Sequence, residues 1–231
     1  MKIKKVFFTT IIFLALFPFA SEAQLNFDRY KQFVEISATD IIFAGSYDGK
    51  SYFATNDEVI LVPKIKPGIG LGIDYGFVIG DHASINFAYR FNTSDYTTMY
   101  EDITGKSTIH VVHLLDLKFY FIKFAEKRIK FYYNFDWSLT FCHFNKIAFD
   151  NNVPGNFVNL RSANFSGMAF GSGFGMQCML SRNLAIDLRV LPEFQFVTDL
   201  KTKSKERHEV AKFNNLMLIN TFGLKYYFKE R

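Results

Sequence analysis

Past its first two dozen residues the 231-residue chain has no apolar run close to the ~18 residues of a membrane-spanning helix. That excludes an α-helical span. Cysteine is nearly absent, with only Cys142 and Cys178, so no disulfide framework holds the fold. Five prolines leave long stretches free to pair as strands. An excess of one charge is missing too: the net charge is +5, and setting aside Lys2, Lys4, Lys5 and Glu22 of the N-terminal segment leaves +3. With one basic run, at 201–207, this does not describe a nucleic-acid binder.

What the chain does have is aromatic residues: 29 Phe and 12 Tyr, 18% aromatic in all, which is heavy for a soluble domain of this size. It also has a basic start, an apolar run over 6–20, and Ser21-Glu22-Ala23 with small residues at both positions a signal peptidase reads. We read 1–23 as a secretory signal peptide. The apolar run is too short for a bilayer anchor. Gln24 rather than Cys follows the cut, which excludes a lipoprotein anchor. The remainder, 24–231, is one domain.

That domain alternates apolar and polar side chains one by one, the strand period. In 83–95, Ile85, Phe87, Tyr89 and Phe91 oppose Ser84, Asn86, Arg90 and Asn92. In 107–122, Ile109, Val111, Leu115, Leu117 and Phe119 oppose His110, Asp116 and Lys118, and in 129–141 seven apolar residues oppose Lys130, Asn134, Asp136, Ser138 and Thr140. The stretches 184–200 and 212–228 repeat the pattern. In 64–77 and 163–180 the face opposite the apolar one is rich in Gly. A strand over 31–44 completes the set, with a β-bulge expected where Ile41 to Phe43 breaks the alternation.

Eight strands result. Connectors after the second, fourth and sixth are short (80–82, 123–128, 181–183), and those after the first, third, fifth and seventh are longer and polar (46–63, 96–106, 145–162, 201–211). Short turns on one side and long loops on the other mark an all-β, eight-stranded antiparallel up-and-down transmembrane β-barrel, with both termini in the periplasm. A water-soluble calycin-like barrel also alternates, but its polar face would point outward. Gly opposite a continuous aromatic face suits a crowded narrow lumen better.

The pattern resembles the small outer-membrane β-barrel proteins of Gram-negative bacteria, of OmpA/OmpX-like architecture, and more narrowly the PorT-like porin-family barrels. The residues that carry the resemblance are the segment from Lys66-Pro67-Gly68 to Gly72, the 114–120 strand, and the aromatic C-terminal strand Thr221-Phe222-Gly223-Leu224-Lys225-Tyr226-Tyr227-Phe228. This last segment is similar to the signal read by barrel-insertion machinery. The resemblance implies a cell outer membrane location and contact with lipid and lipopolysaccharide.

Parity sends Glu35, Lys66, Asp74, Arg90, His110, Asp116, Lys118, Lys130, Asp136, Asp187, Arg189, Glu193 and Lys225 into the lumen. Hairpin pairing about the short turns puts Asp74 diagonal to Arg90, and Asp116 near Asp136. Eight strands leave room only for side chains, so a salt-bridged polar network of Glu35, Asp74, Arg90, Asp116, Lys118, Asp136, Asp187, Arg189 and Lys225 is expected to fill it. His113 and His143 fall on the outward face, without a neighbouring Ser, Asp or Glu to form a catalytic group. His110 faces inward opposite Cys142, half a zinc site at best. Cys142 and Cys178 lie near opposite ends of their strands, too far apart for a disulfide.

No catalytic, cofactor or metal site is therefore assigned. The functional expectation is a non-enzymatic barrel with a plugged lumen and a structural, binding or secretion-assembly role through loops or periplasmic turns. A small-solute channel and a lipid-modifying barrel enzyme are the alternatives. The exposed candidates are loop aromatics (Tyr47, Tyr52, Phe53, Phe149, Phe157), suited to a protein or glycan partner, and the basic loop residues Lys201, Lys203, Lys205 and Arg207, facing lipopolysaccharide phosphates.

Overall fold

A computed structural model describes residues 30–43, 51–54, 59–62, 64–97, 104–123, 127–150, 159–202, 207–208 and 214–229. The leader 1–23 and its cleavage point lie outside the described residues. So do the side chains of the loop aromatics and of the basic loop.

Eight long strands form the wall: β1 Tyr30–Phe43, β2 Ile69–Ile79, β3 Ala83–Thr97, β4 Thr104–Tyr120, β5 Ile129–Asp150, β6 Asn159–Met179, β7 Leu184–Thr202 and β8 Asn214–Lys229. Each pairs antiparallel with the next, and β1 pairs with β8 from Tyr30↔Lys229 to Phe43↔Met217, so the sheet closes on itself. Closure leaves every wall strand paired on both sides, which lets a sheet sit in hydrocarbon. The tight turn between β2 and β3 is made by Gly80, whose φ of 72° is the left-handed region that glycine enters at least cost.

At the opposite end the strands run further than the sequence periodicity suggests. β5 and β6 extend the hairpin to Phe149↔Asn159, so much of the expected 145–162 loop is strand. Its residues Ile147, Ala148 and Phe149 suit a pleated surface as well as a loop. The 46–63 connector holds a short hairpin, Ser51–Ala54 with Val59–Val62. Its second strand pairs with the outer end of β5 at Val59↔Asp150, placing backbone from the β1–β2 connector against a strand across the barrel.

Alternation decides what faces lipid. Ile36, Leu71, Ile73, Phe87, Phe131, Phe135, Trp137, Phe174, Phe194, Phe222 and Leu224 are all exposed. In a soluble fold this apolar surface would be costly. In a bilayer it is the contact surface. Aromatic pairs tie neighbouring strands on this face: Trp137 stacks on Phe170 at 6.2 Å, and Tyr133 meets Phe174 edge-on at 5.3 Å.

Three expectations are corrected. The bulge foreseen near Ile41 to Phe43 is absent: β1 alternates through Ile41, which is buried inside, and its register with β8 is continuous there. The bulge lies at Leu114 instead. Across it β4 advances from His113 to Leu115 while β5 steps only from Ser138 to Trp137. One extra residue inverts the parity of everything before it, so Ile109, Val111 and His113 point inward and His110 outward. Lys66, expected in the lumen, is exposed, because it precedes β2 and its N–H donates to the Asp95 carbonyl at 2.9 Å.

Candidate functional site

The barrel interior has three layers. Near the end with the short turns, Phe33, Tyr120, Tyr132, Met179, Ala185 and Tyr227 pack into one cluster. Toward the other end Ile41, Tyr96, Ile109, Val111, Phe144, Phe165, Leu191 and Ile219 are among the members of a second. Charged side chains occupy the space between.

All nine residues expected in the lumen network are buried there, although they come from seven strands. Arg90 on β3 makes a two-pronged contact with Asp74 on β2, Nη1 to Oδ1 at 2.6 Å and Nη2 to Oδ2 at 2.8 Å. Arg189 on β7 crosses the lumen to Asp116 on β4 and approaches Asp74 at 3.5 Å. Asn86 donates to both carboxylates, at 2.7 Å to Asp116 and 3.3 Å to Asp74.

A second knot lies closer to the short turns. Lys225 donates to Asp187 at 2.8 Å and pairs with Glu35 at 3.2 Å, while Lys118 lies 3.5 Å from Asp187 and 3.8 Å from Glu35. Tyr132 donates to Asp187 at 2.5 Å, and Gln177 accepts from Tyr227 at 2.8 Å and Tyr120 at 3.1 Å. Both ammonium groups also sit over rings, Lys225 at 4.7 Å from Phe33 and Lys118 at 5.0 Å from Tyr132. Two Arg and two Lys thus meet four carboxylates.

Asp136, the ninth residue, has no Lys or Arg partner among the described ion pairs. It meets His113, whose Nδ1 is 2.9 Å from Asp136 Oδ2 and 3.6 Å from Glu193 Oε1. Glu193 Oε2 accepts a hydrogen bond from Ser138 at 3.0 Å. This grouping is the one that parity missed, since it treated His113 as outward and without acidic neighbours. The signal was present in Val111-Val112-His113-Leu114-Leu115, where two apolar doublets break the alternation as a bulge requires.

His110, placed inward by parity, lies on the outer face and meets Tyr89 Oη at 2.6 Å. It is not paired with Cys142, whose register neighbour on β4 is Ile109. His143 lies outside as expected, with Asn164 Oδ1 at 2.7 Å. Cys142 is buried, Cys178 is half-buried, and both are free thiols.

No family model matches the chain, and no curated protein matches it. Solved structures do. OprG, an outer-membrane protein of Pseudomonas aeruginosa, is 12% identical over 87% of this chain and 97% of its own, with a TM-score of 0.52. Neisserial surface protein A is 13% identical over 85% and 97%, with a TM-score of 0.49. A major outer-membrane protein of Thermus thermophilus is 11% identical over 85% and 99%, also at 0.49. Identity this low speaks for the fold alone. An apolar belt closed around a charged interior, on a fold shared with the outer-membrane protein OprG, makes this chain an eight-stranded transmembrane β-barrel.

Proposed function

We propose that the protein is a non-enzymatic barrel with a plugged lumen, and that it has a structural, binding or secretion-assembly role through its loops or periplasmic turns. The observation that carries this reading is the layered interior: a salt-bridged middle with an apolar cluster on each side. An ion crossing it would have to displace paired side chains and pass two layers packed with aromatic and aliphatic side chains. The groups with catalytic chemistry, His113, Ser138, Asp136 and Glu193, lie inside the wall, away from the lipid a modifying enzyme would act on. Outer-membrane lipid and lipopolysaccharide are the surroundings of the belt and rim, and barrel-insertion machinery is the partner during biogenesis.

Planar-bilayer recording tests the plug. The purified barrel is expected to give negligible conductance, and large, stable single-channel currents would refute the reading in favour of a small-solute channel.

A further inference from the structure

Six carboxylates are fully buried in the interior, and two of them have no Lys or Arg partner among the described ion pairs. Glu35, Asp74, Asp116 and Asp187 each meet Lys or Arg, whereas His113 is the one ion-pair partner of Asp136 and Glu193 among the described residues, and these two carboxyl groups hydrogen-bond to each other. Lys130 does not close the difference. It lies six residues from Asp136 along β5, about 20 Å at the rise of a strand. A carboxyl–carboxyl hydrogen bond holds a proton between Asp136 and Glu193, and a cation bound by both groups would stand in that proton's place, since buried charges persist when they are paired or bind metal.

We propose that His113, Asp136 and Glu193 hold a divalent first-row metal ion of the zinc type inside the barrel. One ligand atom from each of the three lies within 4.8 Å of the others. The His113 Nδ1 separations, 2.9 Å to Asp136 Oδ2 and 3.6 Å to Glu193 Oε1, straddle the ~3.3 Å edge of a tetrahedron whose ligands are ~2.0–2.1 Å from zinc. Glu193 Oε1 has no hydrogen-bond partner although it is buried. It faces the imidazole, and the same carboxyl group hydrogen-bonds to Asp136. Ser138, donating to the other oxygen of the same carboxylate, fixes its orientation as a supporting partner of a metal ligand does.

The donor set narrows the ion. One imidazole and two carboxylates suit Zn²⁺, Mn²⁺ or Fe²⁺ better than Cu⁺, which prefers sulfur, or Mg²⁺, which prefers oxygen and water. Two carboxylates and a neutral imidazole cancel a double positive charge, so the occupied site adds no net charge to the middle layer. Loading through Nδ1 takes the neutral tautomer of His113 with its proton on Nε2, and the proton released is the one shared by Asp136 and Glu193. Because an apolar cluster lies on each side of the charged layer, the ion enters while the barrel closes.

The test is to refold the chain from urea in detergent with Zn²⁺ or with EDTA, desalt it into metal-free buffer, and measure metal by mass spectrometry. Migration of unheated samples on gels reports folding. The zinc-refolded barrel is expected to retain about one ion per chain. D136N/E193Q, which leaves the four paired carboxylates in place, is expected to retain at least tenfold less. A wild-type barrel that folds in the presence of zinc and retains none would overturn the proposal, as would equal retention by the variant. If the variant does not fold, Co²⁺ in the wild type decides. Intense absorption of a four- or five-coordinate ion supports the site, and the weak absorption of a six-coordinate one overturns it.

Discussion

Asp74 offers the sharpest test of how the interior is held together. Its two oxygens take both prongs of Arg90, and Arg90 has no other carboxylate within ion-pair distance among the described residues. Asp74→Asn keeps the shape and removes the charge, leaving a buried guanidinium without a counter-ion. Breaking a buried pair from one side costs about 3–5 kcal/mol. Arg189, which also approaches Asp74, keeps Asp116, so it moderates the loss without cancelling it. Adding Arg90→Met removes the stranded charge, and a coupling energy of about 2–3 kcal/mol is expected between the two changes. Urea unfolding in detergent micelles measures both. Trp137, the single tryptophan, reports the transition because it sits on the outer belt against Phe170 and loses that setting when the wall opens. A D74N barrel within about 1 kcal/mol of wild type would refute the reasoning, and so would a double variant no better than the sum of the two singles.

Further predictions concern the wall and one of its turns, and the same unfolding measurement checks them all. Gly70→Ala should destabilise the barrel strongly, because a Cβ there meets the Phe91 backbone and lies 2.8 Å from the Asn92 Cα, while Gly80→Ala, with open space but a positive φ, should cost about 1–2 kcal/mol. Ile73→Arg puts a charge on the lipid face and should cost about 2–4 kcal/mol. Asp81→Ala, which loses only an exposed 3.8 Å pair with Lys123, should stay within about 0.5 kcal/mol.

Where the chain alternates without interruption, sequence alone located the side chains. β3, β5 and β7 sort as their periodicity says, and pairing about the short turns placed Asp74 beside Arg90. Two kinds of information were missing. A bulge leaves no trace in residue type beyond a doublet, so the extra residue at Leu114 exchanged the roles of His110 and His113. Parity also gives a side but no bearing. Nothing local tells Arg189 that its partner is Asp116, 73 residues away on another part of the wall, or brings Glu193 to His113. Those contacts depend on closure, which turns every inward side chain toward one axis.

Closure also gives the charged layer a mechanical meaning. Backbone hydrogen bonds join each strand only to its neighbours, so they resist sliding but do little to keep the cross-section round. Arg189 to Asp116 and Asp74, and Lys118 to Asp187, span the lumen between strands that are not adjacent, like spokes in a wheel. Flattening the ring or parting two staves would pull on several spokes at once. A barrel braced in this way keeps its rim in a fixed shape, and whatever the loops and turns hold is presented from a stiff frame.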